Sequence, residues 1–169
     1  MTMLELVAYN IFRRVVKTKK PLGHQMKMLH FVLEQRINRQ LADLGLTSAQ
    51  GHIIGYLIHS NEPPCARDLE EFFHLTHPTV SGLLSRMETK GFIEFRTDPL
   101  DRRIKRIYLL EKGRASHRQI LRCLDENEQR LTAGFSPEER ELFSSFLERA
   151  AQNLCQCAEE NNEEQEETI

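Results

Sequence analysis

A chain of 169 residues with 23 Lys plus Arg, 25 Asp plus Glu and 40% hydrophobic residues is sized for one domain, or two small ones sharing a core. No apolar run approaches the roughly 18 residues a bilayer span needs, the start lacks the apolar core of a secretion signal, and the four cysteines show no paired C-x-x-C spacing. These features exclude a membrane-spanning protein and a disulfide scaffold, and predict a cytoplasmic chain with reduced thiols.

In chain order, residues 4–16 space Leu4, Val7, Ile11 and Val15 along a candidate helix face, and a basic stretch follows over 13–20. A packing arm against a partner subunit is the reading favoured there, ahead of a nucleic-acid arm. Leu22, Met26, Leu29, Leu33, Ile37 and Leu41 predict an amphipathic helix over 22–44. Thr47 with Gln50 forms a capping box for a second helix that carries Ile53, Ile54, Leu57 and Ile58 and ends at Asn61 and Pro63-Pro64. A short third helix over 66–73 is expected to bury Leu69, Phe72 and Phe73.

His74-Leu75-Thr76 then leads into a fourth helix over 77–90, with Thr76 as N-cap, Pro78 in its first turn and Val80, Leu83, Leu84 and Met87 as its buried stripe. Gly91 supplies the left-handed stop. Beyond it the period changes. Residues 92–96 and 103–109 read as strands of a hairpin joined by Thr97-Asp98-Pro99-Leu100-Asp101-Arg102. Two helices close the chain: 112–131, with Ala115, Ile120, Leu121, Leu124 and Leu131 inward, and 137–158, with Leu142, Phe143, Phe146, Leu147, Ala150 and Leu154 inward. Ser136, Pro137 and Glu139 mark the start of the latter as a second capping box. The stretch 159–169, with six Glu and almost nothing to bury, is expected to be disordered.

The net charge of −2 conceals a strong asymmetry. Residues 1–36 carry seven bases against two acids, and 74–114 nine bases against five acids, whereas 125–169 carry thirteen acids against three bases. Any one such run is an ordinary solvated face, so position decides its meaning. Two short helices joined by three residues, followed directly by a basic hairpin, make a helix-turn-helix with a wing. A helix fits the major groove of duplex DNA, and a cationic hairpin tip suits the narrow, electronegative minor groove. The expected DNA-facing residues are Thr76, His77, Thr79, Ser81, Gly82, Ser85 and Arg86 on the helix, and Arg96, Asp101, Arg102, Arg103 and Lys105 on the hairpin. Small and hydroxylic residues let the helix approach closely, Arg86 can pair with a phosphate or a guanine edge, and Asp101 can hold the Arg103 guanidinium extended. Arg106 is counted with this tip cluster.

From Leu75-Thr76-His77-Pro78-Thr79 through Gly91-Phe92-Ile93, then Asp101-Arg102-Arg103 and Leu109-Leu110-Glu111-Lys112-Gly113, the chain resembles the MarR (multiple antibiotic resistance regulator) winged-helix transcription factors. The Leu46-Thr47 and Gln50 entry to the second helix fits as well, and the likeness in element order covers about 22–158. The resemblance implies a mainly α fold with a small β-hairpin wing. It also implies a homodimer held by helices from both chain ends, with recognition helices in successive major grooves and wing arginines in the flanking minor grooves. The expected division is a helical dimerisation region from 1–44 and 112–158, a winged DNA-binding domain over 45–111 and the acidic tail. The implied activity is sequence-specific binding of a palindromic double-stranded site by a repressor that a small effector releases, with no cofactor. Three positions depart from the pattern. Glu70 stands where a small residue is usual and needs an outward path or a partner, His74 replaces the turn glycine, and Leu110 replaces Thr.

Other readings weigh less. A metal-responsive sensor of the same fold would draw on His52 and His59, which share a helix face, and on His24, His30 and His117 on helices that the family fold brings near them, but no His-x-x-x-His pair or mixed His/Cys cluster is present, so ordinary packed or solvated histidines outweigh it. Cys65 sits at a helix start where a thiolate is favoured, and Cys155 and Cys157 point to different sides of one helix. Idle thiols outweigh a redox sensor. There is no P-loop, Gly-x-Ser-x-Gly, dinucleotide fingerprint or His-Glu-x-x-His, so an enzyme is not expected. A winged helix used for protein docking would need a large exposed apolar patch that this polar recognition face does not suggest.

Overall fold

The computed structural model describes residues 21–166 of the backbone and the side chains of 21–155. The expected helix and basic arm over 1–20, and the Cys157 side chain, lie outside these described residues. The elements run α1 (Leu22–Leu41), α2 (Ser48–His59), α3 (Ala66–Phe73), α4 (His77–Thr89), β1 (Ile93–Thr97), β2 (Lys105–Leu109), α5 (Glu111–Leu131) and α6 (Pro137–Glu166). They form two compact units, one through Asn127 and one from Glu128 onward.

In the first unit, α1 ends at Leu41 and a single 3-10 turn over Ala42–Leu44 tightens the chain into Gly45, which is left-handed at φ 71°. The regular helix expected to reach residue 44 is thus shorter by one turn. The Thr47 capping box forms: Thr47 Oγ1 accepts from Gln50 N at 3.3 Å and Gln50 Oε1 accepts from Thr47 N at 3.1 Å. Helix α3 opens with a similar device that the spacing of residues did not reveal, in which Asp68 Oδ2 accepts from Cys65 N at 2.7 Å. Of its aromatic pair, Phe72 is 62% exposed rather than buried. Ala66, Leu69 and Phe73 fill the inward face of this two-turn helix, and Phe72 instead lies against Tyr56, with ring centroids 4.6 Å apart.

The turn into α4 uses His74 at φ 50°, a left-handed conformation uncommon for a side chain with a Cβ, and closes with Leu75 N donating to Glu70 O at 3.1 Å. Val80, Leu83, Leu84 and Met87 form the buried stripe of α4 as expected. Gly91 at φ 72° and Phe92 N donating to Met87 O complete its stop. Strands β1 and β2 pair antiparallel with Ile93 opposite Leu109, Phe95 opposite Ile107 and Thr97 opposite Lys105. Arg103 therefore lies in the turn, not in the strand expected from the sequence. On its other side β2 is tied to the α2–α3 link by Ile107 N donating to Pro64 O at 2.8 Å. The core combines Ile53, Ile54, Leu69, Val80, Leu84, Met87, Phe92, Ile93 and Ile107, so helix-turn-helix and hairpin share one apolar centre. Fully burying an aliphatic side chain of this size contributes about 1.5–3 kcal/mol, so the centre holds the wing and α4 in register.

Helix α5 differs in phase from the sequence expectation. Its buried residues are Gly113, Ser116, Ile120, Cys123 and Asn127, whereas Ala115, Leu121 and Leu124 are exposed. At the end of α5 the inward neighbour is polar: Gln40 Oε1 of α1 accepts from Asn127 Nδ2 at 2.6 Å and Gln40 Nε2 donates to Glu126 Oε2 at 3.0 Å. Nearer its start, Gly113 faces Leu109 and the Phe92 carbonyl, and Ser116 Oγ donates to Lys112 O at 2.8 Å.

The second unit contains α6, whose capping box forms through Glu139 N donating to Ser136 Oγ at 3.2 Å and Ser136 N donating to Glu139 Oε2 at 2.8 Å. Phe135 and Phe143 meet edge to face at 5.9 Å. Leu142, Phe146, Leu147 and Leu154, expected inward, are exposed in one chain. The helix continues to Glu166 where a disordered tail was expected from residue 159. Glu, Gln and Ala are good helix formers and no Gly or Pro interrupts the run, so local propensity extends α6.

Candidate nucleic-acid interface

Helix α4 separates its residues into two sets. Its apolar stripe is anchored in the core, and His77, Thr79, Ser81, Ser85 and Arg86 are exposed on the remainder, with Gly82 partly covered. No other side chain approaches the Cβ position of Gly82 more closely than the Arg86 guanidinium, at 3.9 Å. The surface there is low and polar. Thr76 precedes the helix with extended backbone but gives no side-chain cap. Its hydroxyl is 2.9 Å from that of Thr79, so the expected cap is replaced by a hydroxyl pair at the surface. The first-turn amide groups of α4 consequently lack that cap, as suits an anion approaching the positive end of the helix.

Glu70 finds a partner: its Oε1 lies 2.6 Å from His77 Nδ1, tying α3 to the first residue of α4. Both sequence departures in the turn are thereby accommodated, His74 by its left-handed backbone and Glu70 by this contact.

In the wing, Asp101 grips Arg103 three times. Its Oδ1 accepts from Arg103 N at 2.9 Å and from Nε at 3.1 Å, and its Oδ2 accepts from Nη2 at 3.0 Å. These bonds hold the Asp101 carboxyl below the usual carboxylate range and raise the Arg103 guanidinium above its ordinary value. The Arg103 side chain remains 91% exposed. Its conformation is fixed, but its outer face is available. Arg102 and Lys105 are exposed beside it. Arg96 is paired with Glu94 and lies over the Tyr108 ring at 4.3 Å, which makes it part of the hairpin's own surface as much as a reader.

Arg106 departs from the expected tip cluster. Its Nε donates to Asp98 Oδ2 at 2.7 Å and its Nη1 to Pro63 O at 3.3 Å, so it braces the base of the wing instead of extending from its tip. Asp98 Oδ1 in turn accepts from Leu100 N at 2.8 Å and Asp101 N at 3.2 Å, organising the turn that presents Arg103. The Arg106 hydrogen bond, then those backbone bonds, lower the Asp98 carboxyl below its ordinary value. Sequence reasoning missed this covered pair. The usable signal was an Asp-Pro turn whose aspartate can fold back on its own backbone.

Beside the wing base, an open cleft of about 890 Å³ is lined by Tyr56, Phe72, Phe73, His52, His59, His117 and Arg106, among others. The His59 and His117 rings lie 6.0 Å apart. Among the described residues no group of three or more His, Cys, Asp or Glu is arranged to hold a metal ion, and no helix is long and apolar enough to cross a membrane.

Comparison with known proteins decides the family. A MarR family model matches residues 44–104, which span α2, the helix-turn-helix, β1 and the wing turn up to the start of β2. A point mutant of S. aureus MepR bound to an oligodeoxyribonucleotide is 30% identical, covers 80% of this chain and 99% of its own, and superposes with a TM-score of 0.53. The chain belongs to the MarR family. The S. aureus MepR–DNA complex is 29% identical over 80% of this chain and 99% of its own, with a TM-score of 0.75. The crystal structure of MarR is also 29% identical, over 85% and 97%, with a TM-score of 0.72. Among curated relatives, the HTH-type transcriptional regulator YcgE of Bacillus subtilis (strain 168) is 28% identical over 148 residues, 88% of this chain and 86% of its own. YybA of the same organism is 25% identical over 130 residues, 77% and 86%. This MarR-family protein thus carries the winged-helix fold of transcriptional regulators.

Proposed function

We propose that the protein is a cytoplasmic, sequence-specific regulator of transcription that binds a palindromic double-stranded DNA site as a homodimer and represses until a small effector releases it. The observation that carries the reading is the pairing of an exposed, low, polar α4 face with an arginine that Asp101 orients and leaves 91% exposed on the wing. The likeness to MepR in a DNA complex supports it.

In this reading Thr76, His77, Thr79, Ser81, Gly82, Ser85 and Arg86 face the major groove. Arg102, Arg103 and Lys105 face the minor groove or its phosphates, Asp101 orients Arg103, and Arg96 lies at the hairpin edge. Dimerisation is supported by uncovered apolar side chains in both units, Leu22, Met26, Phe31 and Leu121 in the first and Leu142, Phe146, Leu147 and Leu154 in the second. Surfaces of this kind seek a partner. A twofold axis would repeat the readers at about 34–36 Å, one turn of duplex. The effector step is supported by the aromatic-lined cleft, one wall of which is Arg106, the residue that braces the wing.

Selection of bound duplexes from a random pool at fixed salt, with Arg103→Ala and Arg86→Ala beside the parent, tests the reading. The expected product is an inverted repeat, with weaker binding to all duplexes for Arg103→Ala and weaker or less selective binding for Arg86→Ala. Full retention by both variants, affinity that does not fall with salt, or a stable monomer at micromolar concentration in sedimentation would each overturn it.

A further inference from the structure

The contact between Glu70 and His77 joins an atypical carboxylate to the first residue of the recognition helix. Glu70 is largely covered, with its side chain 22% exposed, whereas the His77 side chain is 73% exposed. One ring nitrogen, Nδ1, faces inward at 2.6 Å from Glu70 Oε1, and the other, Nε2, has no partner among the described residues. An ionised carboxylate is an acceptor only, so the nitrogen facing it must carry the proton. In the neutral ring the outward Nε2 then presents a lone pair.

We propose that Glu70 is a specificity-setting positioning residue: by holding the proton of His77 on Nδ1 it presents Nε2 as a hydrogen-bond acceptor, so that His77 selects a base offering an amino donor in the major groove. Two bases do so there, adenine through N6 and cytosine through N4, whereas guanine offers two acceptors and thymine an acceptor and a methyl group. A lone pair also cannot bond an anionic phosphate oxygen, which separates this role from a backbone contact. The charged groups sharing the groove with His77 are Arg67 on α3, Glu88 on α4, and Arg103 and Lys105 on the wing. Two of the cations are already engaged, Arg67 by Glu71 at 2.8 Å and Arg103 by Asp101. Glu70 is the group in hydrogen-bond contact with the ring. This proposal rests on the DNA-binding reading above and adds the chemistry of one base contact to it.

The decisive variant is Glu70→Gln, because an amide of the same shape donates as well as accepts and permits either tautomer. Nitrogen-15 NMR of histidine-labelled full-length protein, with the His77 signals assigned by their loss in His77→Ala, should show an Nδ1-protonated, Nε2-free ring in the parent near pH 8. In Glu70→Gln the two tautomers should be mixed. Duplex selection should show one position per half-site where adenine or cytosine is favoured by about fivefold, the size of one net hydrogen bond. That preference should vanish in His77→Ala and flatten or turn toward guanine in Glu70→Gln. A parent ring protonated on Nε2 overturns the proposal, as does a Glu70→Gln protein with an unaltered base preference. Uniform weakening on all duplexes by His77→Ala also overturns it, in favour of a phosphate contact. A folded parent that binds no duplex refutes the DNA reading itself, whereas an unmoved preference in a binding-competent Glu70→Gln protein refutes only the role of Glu70.

Discussion

Alanine at Gly113 and alanine at Gly55 should move stability in opposite directions, although both glycines lie in helices with ordinary negative φ. In a helix interior Ala is favoured over Gly by roughly 0.5–1 kcal/mol because it loses less backbone entropy. At Gly55 nothing lies within 4 Å of an added Cβ, so the full gain is expected. At Gly113 the same Cβ would stand 2.5 Å from Leu109 Cδ1 and 2.7 Å from the Phe92 carbonyl oxygen. Leu109 could shift its side chain. The Phe92 carbonyl is held, since it accepts from Leu110 N at 2.9 Å where β2 leaves the hairpin. Overpacking against fixed backbone costs about 1–3 kcal/mol, and with the upper part of that range applying here the net loss after the helix gain is about 2 kcal/mol. For a chain of this length 1 kcal/mol moves Tm by about 2–4 °C, so Gly113→Ala should melt roughly 4–8 °C lower and Gly55→Ala roughly 1–4 °C higher. Calorimetry at matched protein concentration measures both, the matching being needed because a dimer's Tm depends on concentration. A Gly113→Ala protein as stable as Gly55→Ala would refute the claim that the hairpin backbone closes against the first turn of α5.

Three further outcomes follow from the wing and the thiols. Arg103→Ala should reduce the slope of log affinity against log salt by about 0.9 for each phosphate that Arg103 neutralises in the parent, and Asp101→Ala should weaken binding less steeply because it frees the guanidinium without removing it; equal salt slopes in parent and Arg103→Ala would show that Arg103 touches no phosphate. The Asp98 and Asp101 carboxyls are depressed in the fold, so their stabilisation is complete above the unfolded carboxylate value of about 3.9 and is lost as pH falls through the lower folded values. Denaturation midpoints should accordingly drop below about pH 4, and Asp98→Asn should flatten that drop; an unchanged acid limb would contradict the Arg106 brace. Burial, then Glu126, pushes the Cys123 thiol up, so peptide-resolved alkylation should label exposed Cys155 well before Cys123, and equal labelling would count against the α1–α5 packing described above.

The sequence alone determined the features whose cause lies within a few residues. Thr47 and Gln50, Ser136 and Glu139, the stripe from Val80 to Met87, the Gly91 stop and the Asp101–Arg103 clasp all act over one to seven positions, so spacing and side-chain chemistry sufficed to find them. It also located α4 and the hairpin, because an amphipathic period followed by short β-branched runs is a local signal. Tertiary structure decided what depends on distant partners. At the end of α5 the inward residue is set by Gln40, more than eighty residues away from Asn127, and that polar neighbour takes Asn127 inward while Leu121 and Leu124 stay exposed. Arg106 turns from the wing tip to its base because folding brings Pro63 O and Asp98 together around its guanidinium. Phe72 is left outside because Ala66, Leu69 and Phe73 already fill the inward face of this two-turn helix. Local chemistry limits which bonds a residue is able to make with its neighbours along the chain, but the competition among remote partners is settled only when the chain closes on itself.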